Sequence, residues 1–247
     1  MFMIVGFVLR KKALKIQLTS WIFLLTATAG FMNVVTIILF SATSSHHTGS
    51  LSNSMIHLVK GDFEGFIRLI IVILAFFLGT MLSGFLFPEQ VFKLKRRYGY
   101  IQLLSGLAIL AGSIMLKDPW WRLLETTLIL GLQNGMFVYY KGMIVRTTHM
   151  SGNLTDAGLA LGRSLAGRKS ELRKARFQLL NLSFFLLGSI VGAGVLLYTS
   201  VGIWLVASSL YFFLGLLYFS LYHHVNYAKS INYEFEINGK NLFDYLK

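Results

Sequence analysis

The chain has 247 residues, of which 55% are hydrophobic and 13% charged, and its mean hydropathy is +0.64. Soluble globular domains carry about 25% charged residues, so this composition excludes an ordinary soluble enzyme or nucleic-acid-binding domain and points to a protein whose partner is the lipid bilayer. The net charge of +13 follows the positive-inside bias of a polytopic protein, so no nucleic acid is expected, and the absence of cysteine removes disulfides and thiolate chemistry.

The first element in chain order is the uncharged run Leu18–Phe40, long enough for the about 20 apolar residues that a helix needs to cross a bilayer. The preceding "MFMIVGFVLRKK" places its apolar letters before its charges, the reverse of a secretory signal, so the first span is expected to stay attached. Five further runs follow: Leu69–Phe87, Tyr98–Leu116, Leu123–Tyr140, Phe177–Thr199 and Val201–Tyr222. The fourth of the six carries Glu125, Gln133 and Asn134 and is the weakest.

Lysine and arginine gather before span one (Arg10, Lys11, Lys12, Lys15), between spans two and three (Lys93, Lys95, Arg96, Arg97), between spans four and five (Lys141 to Arg176) and in the tail (Lys229, Lys240, Lys247). These are alternate loops, so six crossings put them all on one side. The positive-inside rule makes that side the cytoplasm, together with both termini. On the other side Lys60, Arg68, Lys117 and Arg122 are balanced by Asp62, Glu64, Asp118 and Glu125.

Two polar phrases interrupt the apolar pattern. "HHTGSLSN" (His46 to Asn53) and "HMSGNLTD" (His149 to Asp156) align at an offset of 103, with His46/His149, Gly49/Gly152 and Leu51/Leu154 identical. Downstream, "RLIIVILAFFLGTMLSG" from Arg68 aligns with "RFQLLNLSFFLLGSIVG" from Arg176 at an offset of 108, and upstream Asn33 and Asn134 each precede their phrase. Each half thus reads span, phrase, short helix, span, span. Three crossings per half is odd, so the second copy inserts upside down. The expected fold is an all-α polytopic membrane protein with six transmembrane helices as two inverted three-helix repeats, each with a short re-entrant or interfacial helix. The repeats run over 16–118 and 119–226, with 227–247 as a cytoplasmic tail.

After each phrase comes a short amphipathic stretch, with Leu51, Met55 and Leu58 sharing one face and Leu154, Leu161 and Leu165 the other copy's face. Serine, threonine, asparagine and aspartate suit a helix start because their oxygens accept free first-turn N–H groups. An open helix start also attracts anions. The candidate substrate-binding residues are therefore Asn33, His46, Thr48, Gly49, Ser50 and Asn53 in the first copy, and Asn134, His149, Ser151, Gly152, Asn153 and Asp156 in the second. Plain surface turns with ordinary N-caps are the alternative. The histidines titrate near neutrality and suit proton coupling, donation to a solute, or capping.

Asn33, Gln133, Asn134 and Asn181 lie within spans and need partners there. Glu125, beside Trp120 and Trp121, is expected to reach up to water, and Arg68 and Arg176 to snorkel. Gly79/Ser83 and Gly188/Gly192 are small-xxx-small pairs, which suit close helix contacts within the chain or a homo-oligomer. His46, His47 and His57 make a weak metal set without nearby acids, so neither metal nor cofactor is expected. The sequence carries no GxSxG, HExxH, P-loop or dinucleotide fingerprint, and an enzyme is not expected.

On "AGFMN" with "HHTGSLSN", and "LGLQNG" with "VRTTHMSGNLTDAGLALG", the chain resembles the YoaK family of bacterial integral membrane proteins from about Leu18 to Tyr222, a domain of unknown function. The family's first phrase reads closer to His-Met-Thr-Gly-Asn, so His47 and Ser50 depart from it, and Ser151 to Asp156 match better. The resemblance implies a six-span bacterial inner-membrane protein and supplies no substrate. The leading expectation is a small-solute transporter or permease with a central site for a small anion or zwitterion. The alternative is a non-transporting ligand- or lipid-binding, sensory or accessory module.

Overall fold

The computed structural model describes residues 2–88, 94–136 and 145–237, with side chains within 16–88, 94–136 and 145–224. Among them run eight helices: α1 (Phe2–Phe40), α2 (His47–Val59), α3 (Phe63–Leu86), α4 (Arg97–Met115), α5 (Pro119–Gly135), α6 (Met150–Leu165), α7 (Leu172–Tyr198) and α8 (Ile203–Ile237). A 3-10 turn, Lys169–Glu171, precedes α7. Asp62 caps α3 by accepting from the Gly65 N–H at 2.9 Å. Asp118 caps α5 through the Trp120 N–H at 2.8 Å, with Pro119 preset for the first turn. Helices α3 and α7 start earlier than the apolar runs expected from sequence because their first two turns carry Glu64, Arg68, Arg173 and Lys174.

Five helical stretches are long and apolar enough to cross a bilayer: Ile16–Phe40, Phe63–Leu86, Arg97–Met115, Lys169–Tyr198 and Ile203–His224. These are the helices of a multi-pass membrane protein. The expected fourth span is the exception: α5 has 17 residues, about 25 Å against a hydrocarbon core of about 30 Å. Its expected end at Tyr140 lies outside the described residues, as do Lys93, Lys141, Lys240 and Lys247. Its modest apolarity has a physical reason. Arg122, Leu123, Thr126, Thr127 and Ile129 to Gln133 are all buried, so α5 meets protein on most sides and needs little lipid-compatible surface.

Helix α1 packs against α7 and α8, α3 against α5, α4 against α8, α2 against α3, and α6 against α7. The closest contacts come in matched sets. A β-carbon on Gly30 would strike the Phe185 carbonyl, and one on Gly131 the Phe76 carbonyl; one on Gly188 would strike the Ala27 carbonyl, and one on Gly79 the Leu128 carbonyl. Within each set the residue numbers differ by 101 on the α1/α5 side and by 109 on the α3/α7 side. Helices α4 and α8 repeat the relation at 109: Gly106 abuts the Ser208 carbonyl, and Gly215 abuts the Gly99 carbonyl. Only glycine lets two backbones approach so closely, and dense packing of this kind holds helices together in lipid. The packing register is therefore 109 rather than the 108 read from sequence, because it matches Gly79 to Gly188 instead of to Leu187.

Two apolar clusters fill the bundle. One joins Trp21, Phe87, Tyr98, Met136, Val145, Phe177 and Tyr218, next to the basic loops. The other joins Met32, Val35, Ile129, Leu130, Met150, Phe185 and Tyr211. Met150, the first residue of α6, thus reaches the same core as the last third of α1.

Candidate functional site

Ser41 takes a left-handed φ of 52°, and its N–H donates to the Ile37 carbonyl at 2.9 Å. This closes α1 and turns the chain back along it. The Ser44 and Thr36 hydroxyls then lie 2.9 Å apart, and the Ser45 hydroxyl donates to Asn33 Oδ1 at 2.8 Å. Asn33 is two helical turns before the end of α1, so the chain descends about 10 Å beside the helix before α2 begins. In the second copy Asn134 Oδ1 accepts from the Thr148 N–H at 3.2 Å, and Gln133 Nε2 donates to Thr147 Oγ1 at 3.1 Å. Asn33 and Asn134 therefore hold the segment leading into each phrase.

That descent brings His46 inside. Its Nδ1 lies 2.9 Å from the Ser45 hydroxyl, and its ring meets Phe185 edge-on at 5.6 Å. Burial, and then the charge of the nearby His149, hold its pKa below the ordinary value. The two histidines at equivalent places in the phrases are thus brought close together. His47 packs on Phe76 at 4.6 Å, and burial brings its pKa down to about 4, against an opposing contribution from the Ser44 backbone. Neither His47 ring nitrogen makes a hydrogen bond of normal geometry, and both are shut off from solvent.

His46 and His149 are the N-cap residues of α2 and α6, and neither caps with its side chain. The expected capping by phrase oxygens is likewise not what these side chains do. The Ser52 hydroxyl donates back to the Thr48 carbonyl at 3.3 Å, and Thr155 to the Ser151 carbonyl at 3.0 Å. Ser52 and Thr155 lie past the first turn and bond backwards, so neither helix start receives a side-chain cap from its N-cap histidine or from these hydroxyls.

The second phrase lines a groove of about 440 Å³ with His149, Ser151, Gly152, Asn153 and Asp156, joined by Arg146 and Thr155. Asn153 is buried, with its Nδ2 3.4 Å from the Arg146 carbonyl. The His149 ring lies over Gly152, where a β-carbon would sit 2.5 Å from Nδ1; around Gly49 there is open space. Of the first phrase, Asn53 lines a different groove of about 630 Å³, with Phe40, Ser41, His57, Arg68, Asp118 and Trp120 among its walls. Thr48 and Gly49 are exposed on α2 and Ser50 is partly so. The phrases therefore approach each other at His46 and His149, while Asn53 faces the larger groove and the rest of the second phrase lines the smaller one.

Among the described residues no three His, Asp or Glu side chains are grouped to hold a metal. His57 bonds Asp62 at 2.7 Å instead, and the Gly65 N–H, followed by His57, holds the Asp62 carboxyl below its usual range. Glu125 does not reach up to water: it pairs with Arg122, three residues away on α5, and both are largely buried. The Arg122 guanidinium lies 4.0 Å over the Trp204 ring, and Trp204 in turn stacks on Phe40 at 6.1 Å. The i, i+3 spacing of Arg122 and Glu125 was visible in the sequence. Trp204 lies 79 residues beyond Glu125, and nothing local announces it.

Comparison with curated proteins gives no match, and comparison with solved structures gives none either. A family model does match, over residues 21–218, from Trp21 in α1 to Tyr218 in α8 and so across both phrases. The chain belongs to the family described as Protein of unknown function (DUF1275).

Proposed function

We propose that the chain is a small-solute transporter of the bacterial inner membrane, built from two inverted three-helix repeats that rock about the meeting point of the two phrases. The reading is carried by the exchanged contacts. Gly30–Phe185 answers Gly131–Phe76, Gly188–Ala27 answers Gly79–Leu128, and Gly106–Ser208 answers Gly215–Gly99, as a two-fold relation between the halves requires. In this reading α5 is the sixth crossing, α2 and α6 are re-entrant, and the basic loops with both termini are cytoplasmic.

The substrate class is a small anion or zwitterion. Open starts of α2 and α6 favour negative charge, and His46 and His149 supply donors there. The Thr148 hydroxyl, buried without a hydrogen-bond partner, leaves polar capacity that a passing solute or water would satisfy. A second reading, a module that holds a ligand without moving it, is favoured by the hydrogen bonds that Asn33 and Asn134 accept from Ser45 and the Thr148 N–H, which tie each phrase to its own helix.

Flux separates the two. Purified protein in liposomes is expected to take up labelled solutes from a panel of small anions and amino acids, and Asn153→Ala and Asp156→Ala to lose that uptake while unfolding at the same temperature as the parent. Saturable binding with no flux across the whole panel would replace the transporter with the holding module.

A further inference from the structure

The larger groove, about 630 Å³, lies at the end of the bundle away from the basic loops, between the end of α1 and the starts of α3 and α5. Leu39, Phe40, Leu69, Val72 and Leu123 give it apolar walls. Arg68 and Asp118 also line it, and they sit on either side of one residue. The Arg68 guanidinium is 5.6 Å from the Trp120 ring, and Asp118 Oδ1 accepts the Trp120 N–H at 2.8 Å. The two opposite charges do not pair with each other: Arg68 bonds Glu64 at 2.9 Å, and Asp118 makes no ion pair among the described residues. A single cavity thus presents a guanidinium whose Nε and Nη2 both face Glu64, a carboxylate and an apolar wall.

We propose that this groove binds a free zwitterion bearing an apolar group, of the kind of a branched-chain amino acid. The ligand carboxylate takes the place of the exposed Glu64 on the Arg68 fork, the ammonium faces Asp118, and the hydrocarbon lies against Leu69, Val72 and Leu123. An anion alone would leave Asp118 repelling it, and a cation alone would leave Arg68 doing so. The proposal deepens the transporter reading by naming the solute class at its entrance, and it rests on that reading only for the word entrance.

The test measures binding to the full chain by calorimetry in nanodiscs of phosphatidylglycerol. The probes are leucine, isocaproate (no amine), isoamylamine (no carboxylate) and glycine (no apolar group). Leucine is expected to bind about tenfold or more tightly than each of the others, the scale of one lost charged contact. Arg68→Gln should weaken leucine and isocaproate but not isoamylamine, and Asp118→Asn, which keeps a capping oxygen, should weaken leucine and isoamylamine but not isocaproate. Both side chains are exposed, so the variants are expected to fold, and their unfolding temperatures check this. Leucine no tighter than its fragments, or unaffected by both substitutions, overturns the proposal. Displacement of leucine on adding phosphatidylethanolamine, also a zwitterion with apolar chains, overturns the free-solute assignment. Leucine binding without flux in liposomes sustains this proposal and removes the transporter; flux without leucine binding does the reverse.

Discussion

Gly152 and Gly49 occupy the same place in two copies of one phrase, and their surroundings differ. The His149 ring crowds Gly152, and Gly49 faces open space. Gly152→Ala is therefore expected to displace His149 and to reduce whatever binding or flux the second groove supports, whereas Gly49→Ala should be silent; ligand affinity of the two variants at matched expression checks this. His47 offers a pH test. Its folded pKa of about 4 lies below the ordinary 6.5, so an unfolded chain binds a proton that the folded chain refuses. Stability is then complete above about 6.5 and is lost as pH falls towards 4, by at most about 1.4 kcal/mol per pH unit. Thermal unfolding in detergent should show this decline, and His47→Gln should flatten it. The amides were legible as residues needing partners in lipid. Which partner each takes was not, since Asn181 bonds Thr26, 155 residues away, and Gln133 bonds Tyr211, 78 residues away.

Helices α2 and α6 show why amphipathic spacing alone misleads in a membrane. Leu51, Met55 and Leu58 share a face, as do Leu154, Leu161 and Leu165, but all six are exposed; the buried positions are Ser54 in α2 and Met150, Asn153, Ala157 and Ala160 in α6. In lipid the apolar face belongs outside, and small or polar residues pack against neighbouring helices. The same logic governs the long helices. Gly188→Leu must push α7 off the Ala27 carbonyl, and it is expected to cost about 1–3 kcal/mol or more. A β-carbon at Gly194 on the same helix meets nothing within 4 Å, and Gly194→Leu should stay within about 0.5 kcal/mol of the parent. Unfolding by denaturant in mixed micelles compares the pair.

For the molecule as a whole, the order of crossings can be read with tags. Reporters fused near Val145 to Arg176 are expected in the cytoplasm, and reporters near Gly61 and Lys117 outside it, as follows if α5 completes a crossing. A reporter near Gly167 found outside would mean that the halves insert the same way up, and the exchanged glycine contacts would then need another origin.

The apolar runs, the basic loops and the repeated phrases were fixed by local composition, because crossing a bilayer is a demand each segment meets with its own residues. Hence the long helices and the duplicate phrases were legible in the chain alone. The tertiary structure decided what depends on the meeting of distant segments. It set the one-residue shift in packing register, dictated by glycines under carbonyls of other helices, and the burial of Arg122 with Glu125 beneath Trp204. It also brought His46 near His149 and opened a groove where Arg68 and Asp118 face one cavity. None of these is a property of one segment, since each exists only when helices distant in the chain come within contact distance.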